Sequence, residues 1–235
     1  MTVLPAHRED IELRSEDGLT LVGELATPAS GPIEATLITL HPLPTHGGFM
    51  DSHVYRKASW RLPHLANVAV LRFNTRGTHS PRGTSGGEFG GGGPEGADVR
   101  AAVDFAVTHD LPNRWLVGWS FGTELALMHG AGLDVEGAIL LSPPLHRAQA
   151  SDLLAWEASG KPVTVLVPEF DDYLRPDAAA ESFAPLSQAR LVPVEGAKHL
   201  WVGEAYVRRV LDEIVGVVAP GKAPLPTHVP ASMVL

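Results

Sequence analysis

Gly118-Trp119-Ser120-Phe121-Gly122 is the stretch of sequence that decides the fold. The short apolar run Trp115–Trp119 enters it and predicts a buried strand, and Phe121–His129 leaves it with a helical pattern. A serine in so sharp a turn needs glycine on both sides, because strand and helix approach closely there. We predict that the turn lifts the Ser120 hydroxyl above a sheet, at the positive end of a helix. The alternative is a strand-to-helix turn in which the serine has no chemical role.

Outward from this turn, apolar runs alternate with helical patterns along most of the chain. This order predicts an α/β fold with a mostly parallel central sheet and helices on both faces. At the start, apolar residues alternate with polar ones around Ser15-Glu16-Asp17-Gly18, which predicts an antiparallel hairpin at one sheet edge. The other predicted strands are Ala35–Leu40, Val68–Phe73, Gly137–Leu141, Val163–Val167 and Ala189–Val194, and the other helices are Tyr55–Ala66, Ala97–Thr108, Ser151–Ala158, Asp177–Pro185 and Glu204–Val215.

The 235 residues suit a single domain over 1–235. Two segments have a biased composition. The glycine- and serine-rich segment from Gly77 to Gly96 predicts a long surface loop. Gly216 is expected to end the last helix, and residues 216–235 to form a proline-rich, non-helical tail that docks on the core or on a second subunit.

Composition excludes several classes of function. The chain has no cysteine, which excludes disulfides, a thiolate metal site and a cysteine nucleophile. The net charge of −9 argues against non-specific binding to nucleic acid or anionic membranes. Met1 to Asp10 holds no basic segment followed by an apolar run, so we expect no secretory signal and a cytoplasmic protein. A homodimer is compatible with this size, although no sequence feature demonstrates one.

A serine nucleophile needs a base, and in this kind of fold the order along the chain is serine, acid, histidine. His199 follows the last predicted strand and precedes the last helix, so it should lie at the carboxyl edge of the sheet. The other histidines well after Ser120 are His146 and His228, which we interpret as surface residues. We predict that His199 is the base.

The acid that orients this base should follow the strand Val163–Val167. Asp171 and Asp172 are adjacent there and point in different directions, so one of them serves and the other is a solvated carboxylate. We favour Asp171 and keep Asp172 as the alternative. Asp152 is a more distant candidate.

Two backbone N–H groups should stabilise the oxyanion that forms when the serine attacks a carbonyl. One belongs to Phe121. The other is expected from His41-Pro42-Leu43-Pro44, where neither proline has an N–H and Leu43 is the remaining donor. Nearby His46, Asp51 and His53 raise the alternative of a metal site, which we do not favour because such loop residues are more often solvated.

The sequence says little about the substrate. Only about 20 residues separate Gly137–Leu141 from the next strand, so a large cap is not expected and the site should be open. Candidate pocket walls are Trp119, Tyr173 and Trp201, together with Trp156, and each could equally belong to the core. Arg72 and Arg76 could bind an anionic substrate, but we favour a structural role with acids such as Glu95 and Asp98.

Together these motifs resemble a family of small bacterial α/β-hydrolases with the general layout of dienelactone hydrolases. The resemblance spans most of the region from Ile33 to Val215, and it implies the α/β-hydrolase fold, a Ser120, Asp171 and His199 triad, and an esterase-type activity. The family's acid follows a glutamate by two positions, as Asp171 follows Glu169. The stretches that carry it are His41-Pro42-Leu43-Pro44 with Gly47-Gly48 and Met50, Leu71-Arg72-Phe73-Asn74 with Arg76-Gly77, Glu95 with Asp98, Gly118 to Gly122, and Gly196-Ala197-Lys198-His199.

This chain departs from the family at two places. Leu43 stands where the family often has histidine, which keeps the backbone N–H but removes a side-chain contact, and Gly90–Gly93 is unusually rich in glycine. True dienelactone hydrolases use a cysteine nucleophile, so their specific activity is not implied.

The sequence thus predicts a cofactor-free serine hydrolase that acts on small carboxylic esters through an acyl-enzyme. The alternatives are a thioesterase or other acyl hydrolase, and a catalytically silent binding module.

Overall fold

The computed structural model describes residues 3–227 and is built on one eight-stranded sheet. After the first two strands, the strands of this sheet alternate with helices along the chain, except that two short strands outside it follow the fourth strand. In chain order they are β1 (His7–Arg14), β2 (Thr20–Thr27), β3 (Ala35–Leu40), α1 (His53–Ala66), β4 (Val68–Phe73), β5 (His79–Ser80), β6 (Gly83–Thr84), α2 (Gly96–Thr108), β7 (Arg114–Trp119), α3 (Phe121–His129), β8 (Gly137–Leu141), α4 (Ala150–Ser159), β9 (Val163–Phe170), α5 (Pro176–Phe183), β10 (Ala189–Lys198) and α6 (Glu204–Val218).

The strand order across the sheet is β1-β2-β4-β3-β7-β8-β9-β10. The six strands from β4 to β10 in this order pair in parallel, whereas β1 and β2 pair antiparallel at one edge. The predicted mostly parallel sheet and its antiparallel edge hairpin are therefore confirmed. Because parallel strands share a carboxyl edge, the loops after β3, β7, β8, β9 and β10 all open on the same side of the molecule.

Helices cover both faces of the sheet, as predicted. Strand β3 illustrates how: Leu37 contributes to the core under one face, and its neighbour Ile38 to the core under the other, because successive side chains alternate. One core packs the buried residues of α2 to α5, and the other packs those of α1 and α6. The connection from β8 to β9 contains one helix, α4, so the expectation of no large cap is also correct.

The prediction for the C-terminal segment is wrong in part. Helix α6 continues through Gly216 to Val218, because burial of Val218 outweighs the roughly 1 kcal/mol cost of a helical glycine. The chain then forms a short 3-10 helix at Pro220–Lys222 and returns to the core, where Leu225 is buried. The Leu225 N–H donates to Asp212 at 2.9 Å. The tail therefore docks on its own subunit at Leu225, and His228 lies outside the described residues.

The segment from Gly77 to Gly96 is more ordered than the predicted surface loop. It contains the small β5–β6 hairpin, and it is hydrogen-bonded to β2, the second strand of the main sheet. The Ser85 hydroxyl accepts the Val22 N–H at 3.0 Å, and the Gly86 N–H donates to the Thr20 carbonyl at 2.8 Å. Strand β2 thus satisfies its backbone through this segment, which the local composition did not reveal.

Within residues 3–227, no helix combines the length and the apolar character needed to cross a membrane.

Candidate active site

Ser120 occupies the sharp turn between β7 and α3, with backbone angles φ 53° and ψ −116°. Its N–H donates to the Leu141 carbonyl at 2.9 Å, which ties the turn to the neighbouring strand. Both flanking glycines are required by close approach. A Cβ at Gly118 would lie 2.4 Å from the Gly122 carbonyl oxygen, and one at Gly122 would lie 1.8 Å from the Leu40 carbonyl oxygen. The pentapeptide therefore forms the strained turn that the sequence predicted.

His199 directly follows β10 and reaches the serine. Its Nε2 lies 2.9 Å from Ser120 Oγ, and the ring is almost entirely buried. Two donors hold its backbone carbonyl, the Trp119 indole N–H and the Ser142 hydroxyl, each at 3.1 Å. The imidazole therefore lies at a fixed distance from the serine hydroxyl.

Asp171 completes the line of hydrogen bonds. Its Oδ2 lies 2.9 Å from His199 Nδ1, and its Oδ1 accepts the N–H groups of Tyr173 at 2.8 Å and Leu174 at 3.2 Å. A carboxylate only accepts, so Nδ1 carries the proton and Nε2 is left to accept from the serine hydroxyl. Burial alone would raise the pKa of Asp171, but the hydrogen bonds from His199 and from the two backbone N–H groups lower it overall.

The two alternative acids lie elsewhere. Asp172 is exposed and borders a neighbouring cavity beside Lys198 and Tyr206. Asp152 accepts the Gln149 N–H at 2.7 Å and caps α4. The structure therefore brings Asp171, and neither alternative, to His199.

The two candidate oxyanion donors lie beside the same cavity as Ser120. Phe121 begins α3, so its N–H has no partner within the helix. Leu43 lies in the loop after β3, and its side chain and that of Phe121 both line the cavity with Ser120 and His199. Both residues therefore border the cavity in which an oxyanion bound to Ser120 would form.

His41, which directly follows β3, stabilises this loop through hydrogen bonds. Its Nε2 accepts the Thr75 N–H at 3.1 Å, so its proton must be on Nδ1, which donates to the Pro42 carbonyl at 2.7 Å. The ring has no exposed surface, and burial lowers the pKa of His41 to about 4. The neutral ring is therefore the form that holds the loop carrying Leu43.

This burial predicts a loss of stability in mild acid. Well above pH 6.5 His41 is neutral in both the folded and the unfolded chain, so its titration does not change the free energy of unfolding there. Between pH 6.5 and about 4 the unfolded chain binds a proton that the folded chain does not bind, so the free energy of unfolding falls by about 3 kcal/mol. Chemical denaturation at a series of pH values measures this fall.

The matched variant is His41→Gln, whose amide can accept the Thr75 N–H without titrating. His53 is half-buried, and burial lowers its pKa as well, so part of the fall persists in the variant. We expect a clearly shallower pH dependence in His41→Gln than in the wild type. Identical slopes in the two proteins would show that His41 does not stay neutral in the fold.

The cavity above Ser120 has a volume of about 310 Å³. Tyr173 lines it as predicted and places its ring 4.7 Å from that of His199, edge to face. The prediction that Trp119 and Trp201 line the pocket is wrong. Both are buried under the sheet face that α1 and α6 cover, because the alternation of a strand and the turn after β10 direct them inward. Trp156 also belongs to the core, on the other face.

Sequence reasoning missed several cavity residues. Leu200, His46, His146 and Arg147 also line it; His46 and His146 are exposed, as expected from the sequence, and they border the cavity as well. None of them stands in a recognisable local motif. Their common signal is position, since each follows the carboxyl end of a parallel strand.

Arg72 and Arg76 have structural roles away from the cavity. Arg72 is fully buried and pairs with Glu24 and Asp51, and Arg76 pairs with Asp98 at 2.7 Å. Glu95 instead accepts N–H groups of the glycine-rich loop. Among the residues described, no group of three side chains could hold a metal ion.

Comparison with solved structures identifies the fold. An α/β serine hydrolase without a lid from Xanthomonas campestris is 26% identical, covers 97% of this chain and 99% of its own, and has a TM-score of 0.72. An α/β serine hydrolase homologue from Coxiella burnetii is 22% identical over 88% of this chain and 95% of its own, with a TM-score of 0.73. An esterase from Pyrococcus furiosus is 18% identical over 89% of this chain and 92% of its own, at 0.71.

No family model and no curated protein matches the sequence. The structural matches confirm the α/β-hydrolase fold with no lid, and they confirm the resemblance to small bacterial α/β-hydrolases. The names of these neighbours support a hydrolase activity.

Proposed function

We propose that this chain, an α/β-hydrolase of the small bacterial type, is a serine hydrolase that cleaves carboxylic esters of small substrates. The observation that carries the proposal is the unbroken line of hydrogen bonds from Asp171 through His199 to Ser120, at 2.9 Å for each step. The serine lies beside an open cavity, and the order serine, acid, histidine along the chain is that of the fold.

The reaction is acyl transfer to water. His199 Nε2 takes the proton of Ser120 as the serine oxygen attacks the ester carbonyl, and the N–H groups of Phe121 and Leu43 stabilise the oxyanion. The protonated imidazole then gives its proton to the leaving alcohol, and the ester bond breaks to leave an acyl-serine. A water molecule, deprotonated by His199, attacks this acyl group; the bond to Ser120 then breaks, His199 returns the proton to the serine oxygen, and the acid is released. Asp171 stays ionised and holds the imidazole in the tautomer that the first step needs.

Other residues hold the reacting groups in position. Trp119 and Ser142 are positioning residues, because their side chains donate to the His199 carbonyl and form no hydrogen bond with the Ser120 hydroxyl among the described residues. The strained Ser120 backbone keeps the hydroxyl in the cavity, so little reorganisation is needed when the substrate binds. No cofactor takes part in these steps.

An ester, thioester and amide of the same acyl group test the reaction class. We expect kcat/KM to be highest for the ester, with slower cleavage of the thioester and no detectable cleavage of the amide. The measurement is release of the common acid by wild-type protein, with Ser120→Ala as the background. Preference for the thioester would identify a thioesterase, whereas no turnover of any substrate above the Ser120→Ala background would favour a silent binding module.

Three further expectations stay predictions. They are the cytoplasmic location, the absence of nucleic-acid and membrane partners, and the homodimer.

A further inference from the structure

One cationic side chain faces the cavity that contains Ser120. Of the residues that line it in the described chain, Arg147 is the one lysine or arginine, and Asp171 does not reach it. The rest of its wall is apolar or histidine apart from Ser120 and Tyr173, and it contains no carboxylate among the residues described. The chain as a whole carries a net charge of −9, so the charge at this cavity is opposite to that of the molecule.

Three contacts hold Arg147 in place, two with its side chain and one with its backbone. Its Nε donates to the Gly91 carbonyl at 2.9 Å, and its guanidinium carbon lies 5.1 Å from the centroid of the Phe121 ring. Its backbone N–H donates to Glu124 at 3.1 Å. Glu124 is fully buried and also accepts the N–H groups of His146 at 2.6 Å and Ala148 at 2.7 Å, so it fixes the loop after β8.

The glycine-rich run provides the space for this side chain. A Cβ at Gly92 would lie 3.3 Å from Arg147 Cδ, and Gly92 has φ +118°, which disfavours any other residue. The buried Glu95 carboxylate accepts the Gly90 N–H at 2.6 Å and the Gly92 N–H at 2.7 Å. These bonds hold the loop so that the Gly91 carbonyl faces Arg147. The unusual run at Gly90–Gly93 therefore leaves space for Arg147 and binds it through the Gly91 carbonyl, a role that the sequence did not indicate.

Most of the hydrogen-bonding capacity of this guanidinium is unused. A guanidinium has five N–H donors, and in residues 3–227 only Nε–H of Arg147 has a protein acceptor. No carboxylate of the described residues lies within ion-pair distance of it. By contrast, Arg72, Arg76 and Arg82 are each paired with acids.

We propose that Arg147 binds a carboxylate of the substrate, so that the preferred esters carry a free carboxylate in addition to the ester group. This inference rests on the proposed function. The two terminal nitrogens form a planar fork that matches a carboxylate. Because Gly91 and Phe121 already hold the side chain and Glu124 holds its backbone, little conformational entropy is lost on binding. Arg147 stacks on the residue that follows the nucleophile, so the carboxylate and the reacting carbonyl occupy one cavity.

Two esters of matched length test this inference, the para-nitrophenyl monoester of adipic acid and the para-nitrophenyl ester of heptanoic acid, whose terminal methyl group replaces one carboxylate oxygen. The first ends in a carboxylate and the second in a methyl group. We expect wild-type kcat/KM to favour the adipate ester, and Arg147→Gln to lower kcat/KM for it by about 10- to 100-fold, mainly through KM. The heptanoate ester should change by less than about threefold. The adipate preference should also weaken at high salt.

Two further variants serve as controls. Arg147→Lys keeps the charge without the fork and should retain part of the preference. Arg100→Gln removes the same charge at an exposed position paired with Glu16, and it should leave the ratio of the two kcat/KM values unchanged.

The outcomes separate this inference from the proposed function. Equal changes for both esters in Arg147→Gln, or no preference for the adipate ester in the wild type, would overturn the carboxylate site while leaving the hydrolase intact. If the wild type cleaved neither ester and Ser120 did not react with a fluorophosphonate, both proposals would fall together.

Discussion

We expect the turnover of a para-nitrophenyl ester to fall on the order of 10⁵-fold when His199 is replaced by alanine. The imidazole is the one base within hydrogen-bond distance of Ser120 Oγ among the described residues, at 2.9 Å. Without it the hydroxyl keeps its proton, and the leaving alcohol receives none. The remaining rate comes from the oxyanion donors and from substrate binding. Initial rates of His199→Ala against wild type give the ratio.

His146→Ala is the matched control, because His146 lines the same cavity but has no hydrogen bond to Ser120 in the described structure. We expect its kcat to stay within about threefold of wild type. Both variants should be compared for thermal unfolding, since His199 is buried. A similar loss of kcat in the two variants would mean that the cavity, and not proton transfer by His199, limits the reaction.

Asp171→Asn is expected to lower kcat by about 10⁴-fold. The asparagine amide can donate to Nδ1, which would leave Nε2 protonated and unable to accept the serine proton. Its neighbour provides the control within the same turn: Asp172→Asn changes the same charge at an exposed position and should alter kcat by about twofold or less. Steady-state kinetics of the two variants on one ester makes the comparison.

A larger effect in Asp172→Asn than in Asp171→Asn would contradict the geometry.

The lowered pKa of Asp171 also predicts how the stability of the protein depends on pH. Because folding lowers this pKa, Asp171 stabilises the folded chain at neutral pH, and this contribution is lost as the pH falls through the pKa of the folded state.

The fold could be predicted because its signals are local. Each buried strand is a short apolar run with turn residues at its ends, and the strained turn at Ser120 needs glycines that the sequence shows directly. The order of Ser120, Asp171 and His199 along the chain then restricted the candidates, since only residues after parallel strands reach the carboxyl edge.

The remaining features depend on contacts between distant segments. Trp119 and Trp201 are aromatic residues beside the site in sequence, yet both are buried in a core that they share with the distant helix α1. Arg147 takes its position from Gly91 in the glycine-rich loop and from Phe121 and Glu124 on α3, two segments that are distant from it in sequence. Helix α6 passes the expected stop at Gly216 because tertiary burial overrides local propensity.

The most direct measurement is the reaction of wild-type protein with a fluorophosphonate, followed by mass-spectrometric identification of the modified residue. We predict a single adduct on Ser120, absent in Ser120→Ala and formed far more slowly in His199→Ala. Such a result requires a serine activated by its neighbouring histidine. No adduct on the well-folded wild-type protein, or an adduct at another residue, would contradict the assignment of Ser120 as the nucleophile.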